Sequence, residues 1–196
     1  MASLLTSNNL PADLTARLYQ QLHSFPDAVC YWVAFSGGVD SHALLHALVR
    51  LRDRLKGEIG AVHVNHGLHE DAGEWEVHCR ELCRDLAVHY VSLPVDARPA
   101  RGESPEAAAR AARYSALEYW LPAGHCLLMA QHQDDQAETL LLQLLRGSGV
   151  KGLAAMPARA RLGAGHLLRP LLDVSRQALQ QYAIANRLHW VEDPSN

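Results

Sequence analysis

The chain has 196 residues, 48% hydrophobic and 20% charged, with a net charge of −3. That length suits one α/β domain with a sizeable core, and the charge excludes the strongly basic profile of an autonomous nucleic-acid binder. No apolar run approaches the roughly 20 residues that span a membrane, and no basic stretch precedes an apolar one near the N-terminus, so neither an anchor nor a secretory signal is expected. The four cysteines, Cys30, Cys79, Cys83 and Cys126, are scattered and read as buried, reduced thiols, which points to the cytoplasm. Sixteen of the eighteen basic residues are arginines, a skew that suits phosphate contacts or reflects coding bias.

Residues 10–25 read as a helix, with Leu14, Leu18 and Leu22 on one face. An apolar strand, 28–35, leads into Ser36-Gly37-Gly38-Val39-Asp40-Ser41, and an amphipathic helix follows with Leu44, Leu45, Leu48, Leu51 and Leu55 inward. A second strand, 59–65, ends in Asn65-His66-Gly67-Leu68. A helix over 73–86 turns Trp75, Leu82 and Leu86 inward, and a strand over 88–93 follows. The stretch 94–105 is rich in Pro, Gly and charge and reads as a mobile loop. Ser104 caps a helix that runs to about Trp120. A strand over 125–131 is followed by a helix to Arg146, capped by Asp134, with Ala137, Leu140, Leu141, Leu144 and Leu145 as its apolar face. A glycine-rich connection, 146–153, reads as a turn or a substrate contact. A hairpin is expected around Gly163 and Gly165, then a helix capped by Ser175 and a short strand over 189–191. Strand–helix alternation argues a parallel sheet covered on both faces.

The stretch from Ser36 to Ser41 carries the chemistry. Two glycines open the backbone so that N–H groups can approach a ligand. Ser36 and Ser41 add hydroxyls, and the helix that follows directs its free N–H groups to the same place, which makes an anion site. Asp40 is out of place beside an anion unless a divalent cation bridges it to phosphate oxygens. No lysine follows the glycines, so the pattern is neither a Walker P-loop nor a dinucleotide fingerprint. The strand ending at His63 faces the same crevice, because ligands sit at the carboxyl ends of parallel strands. His63, His66 and His69 are either ordinary strand-end polar groups or contacts, with no cysteine or carboxylate placed to complete a zinc site. Arg110 and Arg113 share a helix face near its N-terminus, where they oppose the dipole; they are solvated arginines or a clamp for phosphate or carboxylate. Asp135 and Glu138 also share a face, and serve as dipole-favoured acids or as partners for a cation.

SGGVDS resembles the loop of the pyrophosphate-loop ATPases, or N-type ATP pyrophosphatases. Several further segments are similar to the tRNA(Ile)-lysidine synthetase family: VHVNHGL with Trp75, EAAARAARY, QHQDDQAETLLLQLLRGSG, Gly152 to Met156, RPLL, and WVEDPSN. The resemblance implies a Rossmann-like, doubly wound parallel sheet with helices on both faces, of the adenine nucleotide α-hydrolase kind. It implies ATP and Mg²⁺ as cofactors and, as partners, free L-lysine and isoleucine tRNA with a CAU anticodon. In that family ATP adenylates C2 of the wobble cytidine, and the lysine ε-amine displaces AMP to form lysidine. By resemblance Ala34, Ser36, Gly37, Gly38, Val39, Asp40, Ser41, His63, Arg110, Arg113 and Gln131 bind ATP, and Asp40 holds the metal. Asp135 and Glu138 bind lysine, and Asp40, Arg113 and Asp135 are catalytic. Gln131 stands where the family commonly has a histidine. Residues 1–196 read as the catalytic domain, with tRNA-binding domains expected beyond it in a longer protein, no membrane association, and a homodimer as a further partner to consider. Two alternatives remain. A pyrophosphate-loop tRNA thiolase needs clustered or reactive cysteines. A non-catalytic nucleotide-binding module would not need both acids and both arginines.

Overall fold

The computed structural model describes residues 12–25, 27–67, 72–147 and 154–191. Leu68, His69, Gly149 to Leu153 and Glu192 to Asn196, all named above, lie outside the described residues.

Helix α1 (Ala12–His23) precedes strand β1 (Cys30–Ala34), and α2 (Val39–Val49) starts two residues after Gly37. Then come β2 (Glu58–Asn65), α3 (Ala72–Asp85), β3 (His89–Pro94), α4 (Pro105–Trp120), β4 (Cys126–Leu128) and α5 (Gln133–Leu145). The hairpin β5 (Arg159–Leu162) and β6 (Gly165–Leu168) leads to α6 (Arg176–Ala185). One six-stranded sheet forms in the order β3-β2-β1-β4-β6-β5. Every neighbouring pair is parallel except β5 and β6. The expected doubly wound sheet is therefore present, with one antiparallel edge strand supplied by the hairpin.

Period-two alternation sorts the strands into two cores. Tyr31, Val33 and Phe35 of the first strand and its exit, with Cys126 and Leu128 of β4, face Leu18, Leu44, Leu45, Leu48, Cys79, Cys83 and Tyr182. The alternate residues Trp32, Ala34, Leu127 and Met129 face Leu117 of α4 and Leu121 directly after it. Helices α1, α2, α3 and α6 thus cover one face and α4 the other. Trp32 lies flat across Gly60 on the neighbouring strand, where an added Cβ would come within 2.3 Å of the ring.

This winding creates the site. The chain moves outward from β1 through β2 to β3, then α4 carries it back across the sheet to β4 on the other side of β1. The strand order reverses between β1 and β4, and a crevice opens beyond their carboxyl ends. The residues after β1 (35–38) and after β4 (129–132) border that crevice.

Several local expectations are corrected. Residues 189–191 form no strand. On α3 Leu82, and Leu86 directly after it, pack against the core as expected, joined by the fully buried Cys79 and Cys83, and Trp75 is half-buried. On α5 no residue is buried, and Leu141, Leu144 and Leu145 are 59%, 52% and 85% exposed, so its leucines do not pack on the sheet as expected. Among the described residues no helix is long and apolar enough to cross a membrane.

Candidate active site

Ala34 ends β1, and Val39 begins α2, so the six-residue loop spans a strand end and a helix start. Gly37 sits at a φ of +85°, in the left-handed region, with the Cys79 sulfur 3.0 Å from where a Cβ would lie. Gly38 caps α2 without a side-chain hydrogen bond, leaving first-turn N–H groups for a ligand. The two serines are tied together. Their hydroxyl oxygens are 3.2 Å apart, Ser41 Oγ donates to the Gly38 carbonyl at 3.0 Å and accepts from the Ser36 N–H at 3.3 Å, and Gly38 N–H reaches Ser36 Oγ at 3.4 Å. The result is a hollow of hydroxyls and backbone N–H groups at a helix N-terminus, which suits phosphate oxygens.

Asp40 lies in the first turn of α2. Its Oδ1 is buried and has no hydrogen-bond partner, while Oδ2 is 3.7 Å from Nε2 of His132. A desolvated carboxylate oxygen with no donor fits a divalent cation bound between it and phosphate.

His132 is a residue that the sequence reading passed over. It, not Asp134, is the N-cap of α5. Asp135 N–H donates to its Nδ1 at 3.4 Å, and its own backbone N–H donates to Asp135 Oδ2 at 2.8 Å. Burial pulls the His132 pKa down, but the Asp40, Asp135 and Asp134 carboxylates outweigh burial and raise it. The ring therefore joins the loop acid Asp40 to the acids of α5. Asp134 instead accepts the Arg176 N–H at 2.8 Å and anchors α6. Histidine is not among the favoured capping residues, so a search for the usual caps selects the wrong neighbour. Glu138, one turn along the same helix, is exposed.

His63 is buried, and its Nδ1 donates to the Phe35 carbonyl at 2.9 Å, which holds the entry to the loop. His66 accepts from Arg113, with Nε2 at 3.4 and 3.3 Å from the guanidinium nitrogens. Burial, Arg113 and His63 all lower the His66 pKa, so the ring stays neutral and can accept. Arg113 is thus brought from α4 to the end of β2, whereas Arg110 stacks over Tyr114, 5.4 Å from the ring centre, on an exposed position. Asn65 is held by Glu76, which accepts from its Nδ2 at 2.8 Å.

Gln131 is engaged by Arg169, another residue that sequence reading left without a role. Arg169 is only 7% exposed and donates to three neutral oxygens: Gln131 Oε1, the Pro157 carbonyl at 2.8 Å and Tyr114 Oη at 3.4 Å. The cation spans β6, α4 and the exit of β4. Gln136 pairs both its amide atoms with the backbone of Met156, at 2.9 and 2.8 Å.

Comparisons with known proteins show the family. A family model described as a PP-loop domain matches residues 11–196. The chain belongs to the PP-loop family. Membership implies use of ATP, in keeping with the phosphate hollow. The PP-loop chain is 52% identical over 194 residues to the tRNA(Ile)-lysidine synthase of Pseudomonas syringae pv. tomato, covering 98% of the chain and 43% of that protein. To the tRNA(Ile)-lysidine synthase of Vibrio cholerae it is 49% identical over 188 residues, covering 94% and 42%. It therefore spans less than half the length of these relatives. Among solved structures it superposes on the tRNA thiolase NcsA of Methanococcus maripaludis, solved with an iron–sulfur cluster. The TM-score is 0.74 and the identity 16%, covering 93% of the chain and 65% of that protein. On an NH3-dependent NAD synthetase of Campylobacter jejuni the TM-score is 0.55 at 16% identity, covering 91% and 72%. At that identity both show a shared fold.

Proposed function

We propose that this PP-loop domain is the catalytic part of a tRNA(Ile)-lysidine synthase: it uses ATP to join free L-lysine to C2 of the wobble cytidine of isoleucine tRNA, through an adenylated tRNA, with release of AMP and pyrophosphate. The observation that carries the reading is identity of about half over almost the entire chain to proteins of that activity. The hollow from Ser36 to Ser41 would hold the phosphates through Ser36 Oγ, Ser41 Oγ and the N–H groups at the start of α2. Asp40 is the residue to hold Mg²⁺, which when bound would neutralise charge on the phosphate oxygens. Arg113, steered by His66, would stabilise negative charge near the α-phosphate as pyrophosphate and then AMP leave. Asp135 and Glu138 would receive the lysine ammonium. Asp135 already accepts one backbone N–H, so we assign it to orienting the amine and accepting its proton, and the exposed Glu138 to the binding contact.

The thiolase alternative needs sulfur chemistry that these cysteines do not suit. All four are buried and free, on β1, α3 and β4, and burial above all pushes each thiol up to about 12. Thiols so raised are protonated and poor nucleophiles.

The test is incorporation of radiolabelled lysine into unmodified isoleucine tRNA with a CAU anticodon. It should be run with this chain and with the full-length Pseudomonas syringae relative. ATP-dependent labelling that disappears when the wobble cytidine is replaced by uridine is the expected result. Failure to label with lysine, together with transfer of labelled sulfur from a persulfide donor, would replace this reading with a thiolase.

A further inference from the structure

The phosphate loop is held from behind by a segment almost 150 residues away in sequence. His42, one turn into α2, is 3% exposed, and its Nδ1 lies 2.8 Å from the carbonyl oxygen of His189. A carbonyl only accepts, so Nδ1 carries the proton. Burial above all pushes the His42 pKa down to about 4, and the ring is neutral at ordinary pH. Two residues after His189, the Val191 N–H donates to the carbonyl of Gly37 at 3.1 Å.

These bonds form a chain of cause. Helix α6 ends with Arg187 at a φ of +54° and with the Leu188 N–H bonded to the Ala183 carbonyl, which directs the chain back toward α2. His46 on α2 meets Tyr182 Oη of α6 at 2.9 Å, so the two helices are bridged below the loop as well. His42 then holds residue 189, and residue 191 holds the loop. A peptide unit is planar and its C=O and N–H point in opposite directions. Fixing the Gly37 carbonyl toward Val191 therefore turns the Gly38 N–H to the opposite side, where it meets Ser36 Oγ at 3.4 Å in the hollow.

We infer that His42 and the segment 188–191 form a latch that presets the phosphate loop for ATP, with His42 a positioning residue acting through Val191 and the Gly37–Gly38 peptide. The inference rests on the reading of Ser36 to Ser41 as the phosphate loop. It makes the stretch that leaves α6 part of the nucleotide site without touching the nucleotide.

The test compares His42→Ala, His42→Asn and Val191→Pro in the purified protein, with Mg·ATP affinity measured by equilibrium dialysis and kcat and KM measured by lysine incorporation. His42→Ala and Val191→Pro should each weaken ATP binding about tenfold, the scale of one lost hydrogen bond in a preset site. The KM for lysine should stay unchanged. Asn places an amide N–H near the position of Nδ1, so His42→Asn should return ATP affinity to within about twofold of wild type. The double variant His42→Ala with Val191→Pro should be no worse than either single one, because both break the same latch. A purely structural His42 would lower the amount of active protein and leave the ATP Kd of the folded fraction alone, which would overturn the latch. So would failure of Asn to rescue, or additive losses in the double variant. If His42→Ala does not fold, Val191→Pro and His42→Asn still decide. A full-length protein carrying this domain that binds ATP, incorporates no lysine and instead transfers sulfur would refute the proposed activity, and the dialysis data would still judge the latch.

Discussion

Removing Asp40 should strengthen the fold and abolish the activity. In Asp40→Ala the chain loses a carboxylate whose Oδ1 is buried without a partner and whose Oδ2 is 3.7 Å from His132. An unsatisfied buried polar atom costs about 1–3 kcal/mol. Against this stand the lost attraction to His132 and the lost dipole interaction of an acid in a first helical turn, together about 1 kcal/mol. Alanine also favours the helix slightly. The net expectation is stabilisation by about 1 kcal/mol in metal-free buffer, which for a chain of this size is about 3 °C in Tm. Mg·ATP at a hundred times its Kd should add about 2.7 kcal/mol to wild type and far less to the variant. The order of stabilities should then reverse on adding ligand. The assay is thermal unfolding of both proteins with EDTA and then with saturating Mg·ATP, alongside lysine incorporation. A variant less stable than wild type in EDTA would show that Asp40 has a structural partner. Equal stabilisation of both proteins by Mg·ATP would remove Asp40 from the metal role.

Arg169→Ala should cost about 2–4 kcal/mol in urea unfolding, because it strands the oxygens of Gln131, Pro157 and Tyr114 inside the protein and leaves a cavity; a loss under about 0.5 kcal/mol would refute its bridging role. Glu138→Ala should raise the KM for lysine at least about tenfold while the KM for ATP moves less than about twofold, a loss of one charged contact; equal changes in both would make Glu138 a helix-end acid only. Acidification should expose His42. Its folded pKa is about 4, against 6.5 when unfolded, so the unfolded chain binds the proton first and stability falls as pH drops below 6.5. Between pH 7 and 5 this group should cost wild type about 2 kcal/mol that His42→Asn does not lose; urea midpoints at the two pH values measure the difference, and parallel slopes would refute it.

Much of the site was legible because its signals are local. The spacing of glycines, serines and Asp40 between an apolar strand and an amphipathic helix suffices to place an anion hollow at a helix start. Ser104 and Ser175 were readable as caps, since each accepts an N–H three residues on. The same local logic failed at α5. It favoured Asp134 as the cap and an inward leucine face, whereas His132 caps the helix and Leu145 is 85% exposed.

What the sequence determined by itself, then, was the alternation of strands and helices, the two-faced core and the hydroxyl-lined hollow at the start of α2, because period, capping and glycine freedom act within a few residues. The tertiary structure alone decided that Asp135 bonds with His132 while Asp134 anchors α6, what Gln131 and His63 are bonded to, and that His42 holds the carbonyl of His189, 147 positions away. Those partners are assigned by the winding that brings the ends of β1 and β4 together and lays α6 along α2. A hydrogen bond depends on distance and direction in space, and no pattern of neighbours in the chain encodes either across such separations.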